Sequence, residues 1–382
     1  MSYKRKIKVL IVDDSAIVRQ ALSYIFNSDP FIEVVATAND PYFAVKKIQK
    51  YQPDVVTLDL QMPRMDGLTF LKKLMKQNPV PVVIISSFSE QGSINTIKAL
   101  EYGAVDVVEK PSLSNDREIR ESKLRLCNKI KAASLAKVKR NQTNTVNNTT
   151  TNTNTLNTSN LKTNNNNNPT RLNPGIKYSA DVIIPEPISY KTTSTTEKII
   201  AIGASTGGTE AIKDFLMRMP INAPGIVIVQ HMPEKFTLSF ANRLNQLCQI
   251  KVKEAENRDV VEKGVALIAP GNKHMLLKRI GNRYFVEVVD GPLVNRHKPA
   301  VDVLFRSVAK YAGSNAIGII MTGMGADGAK GLLEMKNAGA TTAAQDEKTC
   351  VVFGMPKVAI KKGGVDKILP LQMLAGFALR NL

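Results

Sequence analysis

A tract of asparagine, threonine and serine divides this chain of 382 residues into two parts that must fold separately. Between about Lys139 and Thr196 it includes the stretches NNTTTNTNTLNTSN and TNNNNNP. Such a tract has too few apolar side chains to offset the entropy lost on ordering, so we predict a disordered linker. Each flank must then bury its own core, and the predicted limits are residues 1–128, 129–196 and 197–382.

Both flanks alternate short apolar runs with amphipathic helical stretches. The runs are KVLIVD, EVVAT, VVTLD and VVIIS before the tract, and KIIAIGAS, GIVIVQH, VALIAP and AIGIIMTG after it. This alternation predicts two α/β domains, each with a doubly wound, mainly parallel sheet. Chemically active side chains are expected where the strands end, because an open parallel sheet brings those ends into one crevice.

Charge and cysteine content limit the partners and the compartment. The formal net charge of +19 favours acidic partners such as nucleic acid, anionic membranes or carboxylate-rich protein surfaces. The three cysteines have a spacing that indicates neither a disulfide framework nor a cysteine zinc site. The first apolar run is too short for a signal peptide, and no later run reaches membrane-spanning length. We therefore expect a cytoplasmic protein.

Polar side chains follow the strands predicted in the first flank. Asp13 and Asp14 come after the first strand, and Asp59 comes after the third. Ser86 follows the fourth strand and Lys110 the fifth. Three clustered carboxylates repel one another unless a cation lies among them, and an oxygen-lined site suits Mg²⁺. Any one aspartate is as readily explained as a turn residue, but the whole set points to a phosphoryl-binding site.

Residues 6 to about 125 resemble a response-regulator receiver domain at these positions. The resemblance implies a flavodoxin-like fold in which Asp59 accepts a phosphoryl group. It also implies that Ser86 and Lys110 contact the phosphoryl oxygens. The implied Mg²⁺ ligands are Asp13, Asp14 and Asp59.

One position departs from the receiver pattern. Many receivers carry an aromatic residue three positions before the lysine, where this chain has Val107. The signal is therefore expected to leave the domain through a different surface change. No GxGxxG follows the first strand, which argues against a dinucleotide-binding unit.

The second flank opens with IAIGASTGGTEA, an apolar run that breaks at GASTG and resumes as a helix. GASTG fits the nucleophile-elbow pattern G-x-S-x-G, in which Ser205 is held at a strand-to-helix turn. The alternative is a phosphate-binding turn, although the Gly-Lys-Ser/Thr of a Walker loop is absent. If Ser205 is the nucleophile, nearby backbone N–H groups would hold the oxyanion. The candidates are Thr206, Gly207, Gly208 and Met324.

A serine nucleophile requires a base and an acid that orients the base. Of the three histidines, His231 directly follows the apolar run GIVIVQ, whereas His274 and His297 stand in loop-like stretches. Asp327 lies in a glycine-rich turn after AIGIIMTG and is the favoured acid. The competing acids are Asp290, Asp302 and Asp346. The predicted triad is Ser205, His231 and Asp327.

The chain order serine, histidine, aspartate matches neither the α/β-hydrolases nor the chymotrypsin or subtilisin types. Residues 198–375 instead closely resemble the chemotaxis protein-glutamate methylesterases, whose catalytic domain is Rossmann-like. The matching stretches are IGASTGGTEAI, QHMPEKFT, APGNKHM, DGPLVNRHKPAVDVLF, TGMGADGAKG and CVVFGMP.

The two resemblances together imply a phosphorylation-activated serine hydrolase that mediates chemotactic adaptation. It would demethylate glutamate methyl esters, and deamidate specific glutamines, on methyl-accepting chemotaxis receptors. A chemotaxis histidine kinase would donate the phosphoryl group, with Mg²⁺ needed for phosphorylation and no cofactor for hydrolysis. No nucleic acid partner is expected, and the membrane would be approached only through the receptors.

A transcriptional response regulator with a basic DNA-binding output domain is the alternative from another class. The net charge supports it. No helix-turn-helix or other nucleic-acid motif is apparent after the tract, and the elbow serine and strand-end histidine would then serve no purpose. The hydrolase is therefore the favoured prediction.

Overall fold

The computed structural model describes residues 5–62, 65–86, 90–111, 116–137, 177–187 and 197–381. These residues form two α/β domains, each built on a parallel sheet, so the predicted fold class is confirmed. Most of the asparagine-rich tract, and with it the prediction of disorder, lies outside the described residues. Within the described ranges, no helix combines the length and the apolar character needed to cross a membrane.

The amino-terminal domain has a five-stranded sheet in the order β2-β1-β3-β4-β5. Its elements are β1 (Ile7–Val12), α1 (Ala16–Asn27), β2 (Ile32–Ala38), α2 (Pro41–Tyr51), β3 (Val55–Leu58), α3 (Gly67–Gln77), β4 (Val82–Ser86), α4 (Glu90–Glu101), β5 (Asp106–Glu109) and α5 (Asp116–Ala133). Val9 and Ile11 pack towards α1 and α5, whereas Leu10 and Val12 pack towards the helices of the opposite face. The strand order reverses between β1 and β3, which places a crevice at their carboxyl ends.

The carboxy-terminal domain has a seven-stranded parallel sheet in the order β14-β13-β12-β6-β7-β9-β8 and a separate antiparallel hairpin, β10-β11. Its elements are β6 (Ile199–Ala204), α6 (Gly208–Leu216), β7 (Gly225–Gln230), α7 (Phe236–Leu247), β8 (Lys251–Glu254), β9 (Val265–Ile268), β10 (His274–Ile280), β11 (Arg283–Val289), α8 (Val301–Tyr311), β12 (Ala316–Ile320), α9 (Ala329–Asn337), β13 (Thr341–Gln345), α10 (Met355–Lys361), β14 (Lys367–Leu369) and α11 (Leu371–Arg380).

The central strands of this second sheet are buried on both faces. Every residue of β6, β7 and β12 is buried, as expected for parallel strands covered by helices on two sides. Ile200 and Ile202 pack towards α6, α7 and α11, and Ile199 and Ala201 pack towards α8 and α9. The strand order reverses between β6 and β12, so the crevice of this domain opens where those two strands end.

The segment predicted as a linker, residues 129–196, includes residues that pack on the two domains. Helix α5 continues to Ala133, because Ile130 and Ala133 extend its apolar face into the core. On the other side, residues 177–187 pack on the carboxy-terminal domain and contain a short 3₁₀ turn. Ala180 and Ile184 are buried there, and their spacing places two apolar side chains against the domain.

The two domains contact each other through α4 and α7 and through the turn before β5. Leu100 belongs to the same apolar cluster as Phe240 and Leu244. The guanidinium of Arg243 donates to the carboxylate of Glu101, with an Nε–Oε1 distance of 2.7 Å. The contact therefore combines apolar packing with an ion pair.

Candidate active site

Ser205 lies in a sharp turn directly after β6. Its N–H donates to the carbonyl of Thr322 over 3.0 Å, and its own carbonyl accepts from the N–H of Gly208 over 2.7 Å. Gly207 has a φ of +77°, which a residue with a side chain adopts only with strain. A Cβ on Gly323 would lie 2.7 Å from the Cβ of Ser205. The turn therefore holds the serine at the carboxyl edge of the sheet through close backbone packing.

His231 follows β7, the neighbour of β6 in the sheet. The parallel register pairs Ala204 with Gln230, and the N–H of His231 donates to the carbonyl of Ala204 over 3.1 Å. Ser205 and His231 are thus the next residues at two adjacent strand ends. The Nε2 atom of His231 lies 2.8 Å from Oδ2 of Asp327. The Nδ1 atom is buried and has no hydrogen-bond partner among the described residues, which leaves it available to the serine.

Asp327 follows β12 and is buried against the beginning of α8. Besides His231, it accepts the N–H groups of Val301, at 2.7 Å, and Asp302, at 3.1 Å. Burial alone would raise the pKa of Asp327, but the hydrogen bond and charge of His231 outweigh it, and the pKa lies below its usual value. The start of a helix also favours a negative charge. Asp327 can therefore remain ionised and hold the imidazole of His231 in one orientation.

Asn295 is a site residue that the sequence reasoning missed. Its side-chain amide donates to Oδ1 of Asp327 over 2.9 Å and to Oδ2 of Asp302 over 2.7 Å. Asn295 and Arg296 both have positive φ, at 51° and 72°. Asparagine tolerates that conformation better than most residues. The asparagine two positions before His297 was therefore the local signal for a tight turn at this site.

His297 closes the same turn and stacks on the proposed base. Its N–H and carbonyl pair with the carbonyl and N–H of Val294, at 2.8 and 3.0 Å. Its ring lies parallel to that of His231, with ring centroids 3.7 Å apart and an angle of 8° between planes. Burial, followed by the charge of His231, holds the pKa of His297 well below its usual value. A neutral ring therefore covers one face of the His231 imidazole.

His274 is not in a loop, as the sequence suggests, but begins β10 and is fully buried. Its Nε2 lies 2.9 Å from the carbonyl oxygen of Pro292. Burial lowers the pKa of His274, although that hydrogen bond opposes the shift. The residue therefore has the surroundings of a neutral structural histidine.

The competing acids make contacts other than a hydrogen bond to His231. Asp290 is exposed and forms ion pairs with lysine side chains. Asp346 accepts from the N–H and the hydroxyl of Thr349, at 2.9 and 2.6 Å. Asp302 lies in the first turn of α8, where burial and then the charge of Asp327 raise its pKa to about 7. The hydrogen bond to His231 is made by Asp327.

The four candidate oxyanion donors differ in what they contact. The N–H of Gly208 is used by Ser205, and that of Gly207 donates to the carbonyl of Val105 over 3.3 Å. The N–H groups of Thr206 and Met324 have no hydrogen-bond partner in the part of the chain that the structure describes. These two groups are therefore the available donors in this arrangement of the domains.

The charged cluster of the amino-terminal domain forms at its own sheet edge. Ligand oxygens of Asp13, Asp14 and Asp59 lie within 4.8 Å of one another. The Nζ atom of Lys110 lies 2.8 Å from Oδ2 of Asp59 and 3.0 Å from Oδ2 of Asp13. Burial raises the pKa of Asp13, and the hydrogen bond from Lys110 opposes that rise. Three acidic groups with one lysine fit a divalent cation, and Ser86 is buried at the end of the adjacent strand β4.

Known proteins match both domains. The family model described as CheB methylesterase matches residues 200–377, and that of the response regulator receiver domain matches residues 9–122. The protein-glutamate methylesterase/protein-glutamine glutaminase 3 of Geobacter metallireducens is 53% identical over 376 residues, which are 98% of this chain and 99% of that protein. A similarly named protein of Rhizobium johnstonii is 53% identical over 97% of both chains. The crystal structure of the Thermotoga maritima CheB methylesterase catalytic domain is 40% identical and covers 49% of this chain and 100% of that chain, with a TM-score of 0.48.

Proposed function

This chain belongs to the family of protein-glutamate methylesterase/protein-glutamine glutaminases, and from that membership we propose which of its residues perform and control the reaction. The protein demethylates glutamate methyl esters and deamidates glutamines in chemotactic adaptation, under the control of its receiver domain. The observation that carries our assignment is the position of His231. It is hydrogen-bonded to Asp327 through Nε2 and lies beside Ser205 in the strand register, with Nδ1 available.

In the first half-reaction, the Oγ atom of Ser205 attacks the carbonyl carbon of the ester as its proton passes to Nδ1 of His231. The tetrahedral adduct places a negative charge on the former carbonyl oxygen. The N–H groups of Thr206 and Met324 are the proposed donors to that oxygen. His231 then protonates the methoxy oxygen as the carbon–oxygen bond breaks, which releases methanol and leaves the acyl group on Ser205.

The second half-reaction returns the enzyme to its starting state. A water molecule attacks the acyl group and loses a proton to His231, and the collapse of this second adduct gives that proton back to Ser205. The product leaves as a glutamate carboxylic acid, which loses its remaining proton to water and becomes the carboxylate. A glutamine side chain follows the same route with ammonia in place of methanol, so one site serves both activities.

Asp327 stabilises the imidazolium that forms twice in each cycle. Its ionised carboxylate keeps the proton of His231 on Nε2, which leaves Nδ1 free to act as the base. The two N–H groups at the start of α8 hold the carboxylate in place. This is the role of an orienting acid, which does not itself transfer the proton.

For control, we propose that the unphosphorylated receiver domain covers the elbow. The carboxylate of Asp106 accepts a hydrogen bond from the hydroxyl of Thr206 over 2.6 Å, directly after the nucleophile. Val105 accepts the N–H of Gly207. A receptor is a large substrate, so even partial cover of Ser205 would exclude it.

The short strand β5 connects the two sites of the receiver domain. Asp106 begins this strand at the elbow, and Lys110 follows its end at Asp59. Phosphorylation of Asp59 would change the hydrogen bonds of Lys110 and Ser86, and a few residues of strand separate that change from the interface. Val107 lies buried inside this strand. We propose that a shift of β5 releases the elbow in place of an aromatic switch.

The proposed metal ligands are Asp13, Asp14 and Asp59. Mg²⁺ bound there would neutralise charge while a phosphoryl group is transferred. Lys110 would contact the phosphoryl oxygens on Asp59, in keeping with its present 2.8 Å contact. Hydrolysis at Ser205 requires no cofactor in this scheme.

The proposed partners follow from the family. The receptors are methyl-accepting chemotaxis receptors, and the phosphodonor is a chemotaxis histidine kinase. We propose that the protein works in the cytoplasm and approaches the membrane only through those receptors. No nucleic acid partner is proposed.

The test is methanol release from methyl-labelled receptor membranes with a phosphodonor present. Ser205→Ala should lose this activity while still accepting the phosphoryl group on Asp59, whereas Ser314→Ala, at an exposed serine, should match the wild type. A substantial residual rate in Ser205→Ala would contradict the assignment. If the wild type released no methanol and bound DNA with an affinity that falls steeply as the salt concentration rises, the DNA-binding alternative would be favoured.

A further inference from the structure

Residues 177–187, here called the strap, lie outside both matched family regions yet pack on the catalytic domain. We propose that the strap is a positioning element of the active site, which holds the turn that supports Asp327 and His231. This inference rests on the proposed triad. It gives a function to a segment that the sequence indicates to be part of a passive linker.

Apolar burial and a buried ion pair attach the strap to the domain. Ala180 and Ile184 are 3% and 4% exposed and pack with Val294 and Ala300, among other residues. The guanidinium of Arg306, which is 1% exposed, donates to the carbonyl of Ile184 over 3.0 Å. A buried charge requires partners, so this donor ties the strap to α8.

The ion pair extends from the strap into the core. Arg306 donates to Asp181 of the strap, and it makes two hydrogen bonds to Glu334 of α9, at 2.9 and 2.8 Å. The Oε2 atom of Glu186, also in the strap, lies 2.7 Å from Nζ of Lys330 in α9. Because α8 begins with the two N–H groups that hold the triad aspartate, the strap is fixed to the same helix that orients the acid.

The strap reaches the triad through the turn 294–297. The carbonyl of Tyr178 accepts the N–H of Asn295 over 2.9 Å, and Tyr178 forms a parallel β-bridge with Val294. Two consecutive non-glycine residues with positive φ are unfavourable, so the turn depends on surrounding contacts. The same turn directs the amide of Asn295 to Asp327 and stacks the ring of His297 on that of His231. Removing the strap would loosen both supports.

The consequence is a specific kinetic effect. The contacts of this turn are to Asp327 and His231, and transfer of the serine proton depends on the orientation of His231. Displacing the strap should therefore lower kcat with little change in KM, and a small misplacement of catalytic groups costs on the order of 10- to 100-fold.

The experiment uses the full-length protein with a phosphodonor. Ala180→Arg places a long charged side chain in the buried contact, and Val182→Arg is the matched control because Val182 is 45% exposed. Kinetic constants are measured on methyl-labelled receptor membranes, and thermal unfolding is followed by circular dichroism. If Ala180→Arg folds poorly, Ile184→Ser tests the same contact without added bulk.

A second readout is independent of activity. The chain has three histidines, so ring ¹⁵N labelling gives few signals to assign. We expect Ala180→Arg to shift the ring signals of His231 and His297 and to lower kcat by about tenfold or more, with Val182→Arg close to the wild type.

The outcomes separate the possibilities. Unchanged kcat and unchanged ring signals in folded Ala180→Arg and Ile184→Ser would overturn the proposal, and so would a lower melting temperature as the sole effect. If the wild type were inactive or Ser205→Ala active, the triad assignment would fail instead.

Discussion

The contact between Asp106 and Thr206 gives a quantitative prediction for autoinhibition. Asp106 is 4% exposed and accepts the hydroxyl hydrogen bond of Thr206 over 2.6 Å, while Lys129 of its own domain donates to both carboxylate oxygens at 2.8 Å. The lysine pair is internal to the receiver domain and persists when the domains separate. The hydrogen bond to Thr206 exists only in the docked arrangement.

Asp106→Ala should therefore shift the domains towards the separated state. A hydrogen bond to a charged group contributes roughly 1.5–3 kcal/mol, and each 1.4 kcal/mol is about a tenfold change in an equilibrium. In the docked state of the variant, Lys129 would also lie near the interface without the carboxylate to which it donates in the wild type. We expect the unphosphorylated rate to rise by about 10- to 100-fold, up to the rate of the fully separated protein.

The assay is methanol release from receptor membranes by Asp59→Ala/Asp106→Ala, in which phosphorylation is impossible, compared with Asp59→Ala alone. Glu33→Ala in the same background is the matched control, because Glu33 is an exposed acid on β2 at the opposite edge of the receiver sheet. If the double variant released methanol no faster than Asp59→Ala, the contact with Thr206 would not be inhibitory. Activation would then have to come from a change inside the catalytic domain or from recruitment to the receptors.

Other substitutions test the site itself. Asp327→Asn should lower kcat by about 10⁴-fold, the loss that a wrong imidazole tautomer causes in a serine protease triad, and a near-normal rate in steady-state assays would exclude Asp327 as the orienting acid. His274→Ala and His297→Ala should each retain more activity than His231→Ala, because neither ring bonds to Asp327; complete loss in a folded variant would identify a different base. The pKa of Asp302 is raised to about 7 in the folded protein, which therefore binds this proton more tightly than the unfolded chain. The wild type should therefore lose stability relative to Asp302→Asn as pH rises from about 4 to about 7. Denaturant titrations at pH 4, 5.5 and 7.5 measure the difference in the free energy of unfolding between the two proteins. A difference that does not change with pH would contradict the raised pKa.

The strand pattern determined the architecture and much of the site. Apolar runs of strand length are a local property, so both parallel sheets could be predicted from them. Strand ends then indicated Ser205, His231 and Asp327, because parallel topology brings such ends together whatever the loops do. The same reasoning placed Asp59 and Lys110 together in the receiver domain, where their side chains are 2.8 Å apart.

Tertiary packing decided the supports of that site. Asn295 reaches Asp327 only because a strained turn and α8 meet there, and nothing in the local pattern marks the stacking of His297 on His231. The pKa values also depend on burial and on neighbours that are distant in sequence, as the ionised Asp327 beside a more readily protonated Asp302 illustrates.

The strap shows most clearly what the sequence could not determine by itself. Its apolar residues, Ala180 and Val182 to Ile184, stand next to an asparagine-rich tract, and the composition of that tract led to the prediction of a linker across the whole segment. One of its attachments is to Arg306, 125 positions from Asp181, whose buried guanidinium donates to that carboxylate. Periodicity and composition report what a segment can do alone, whereas an ion pair between distant segments exists only after the catalytic domain has folded.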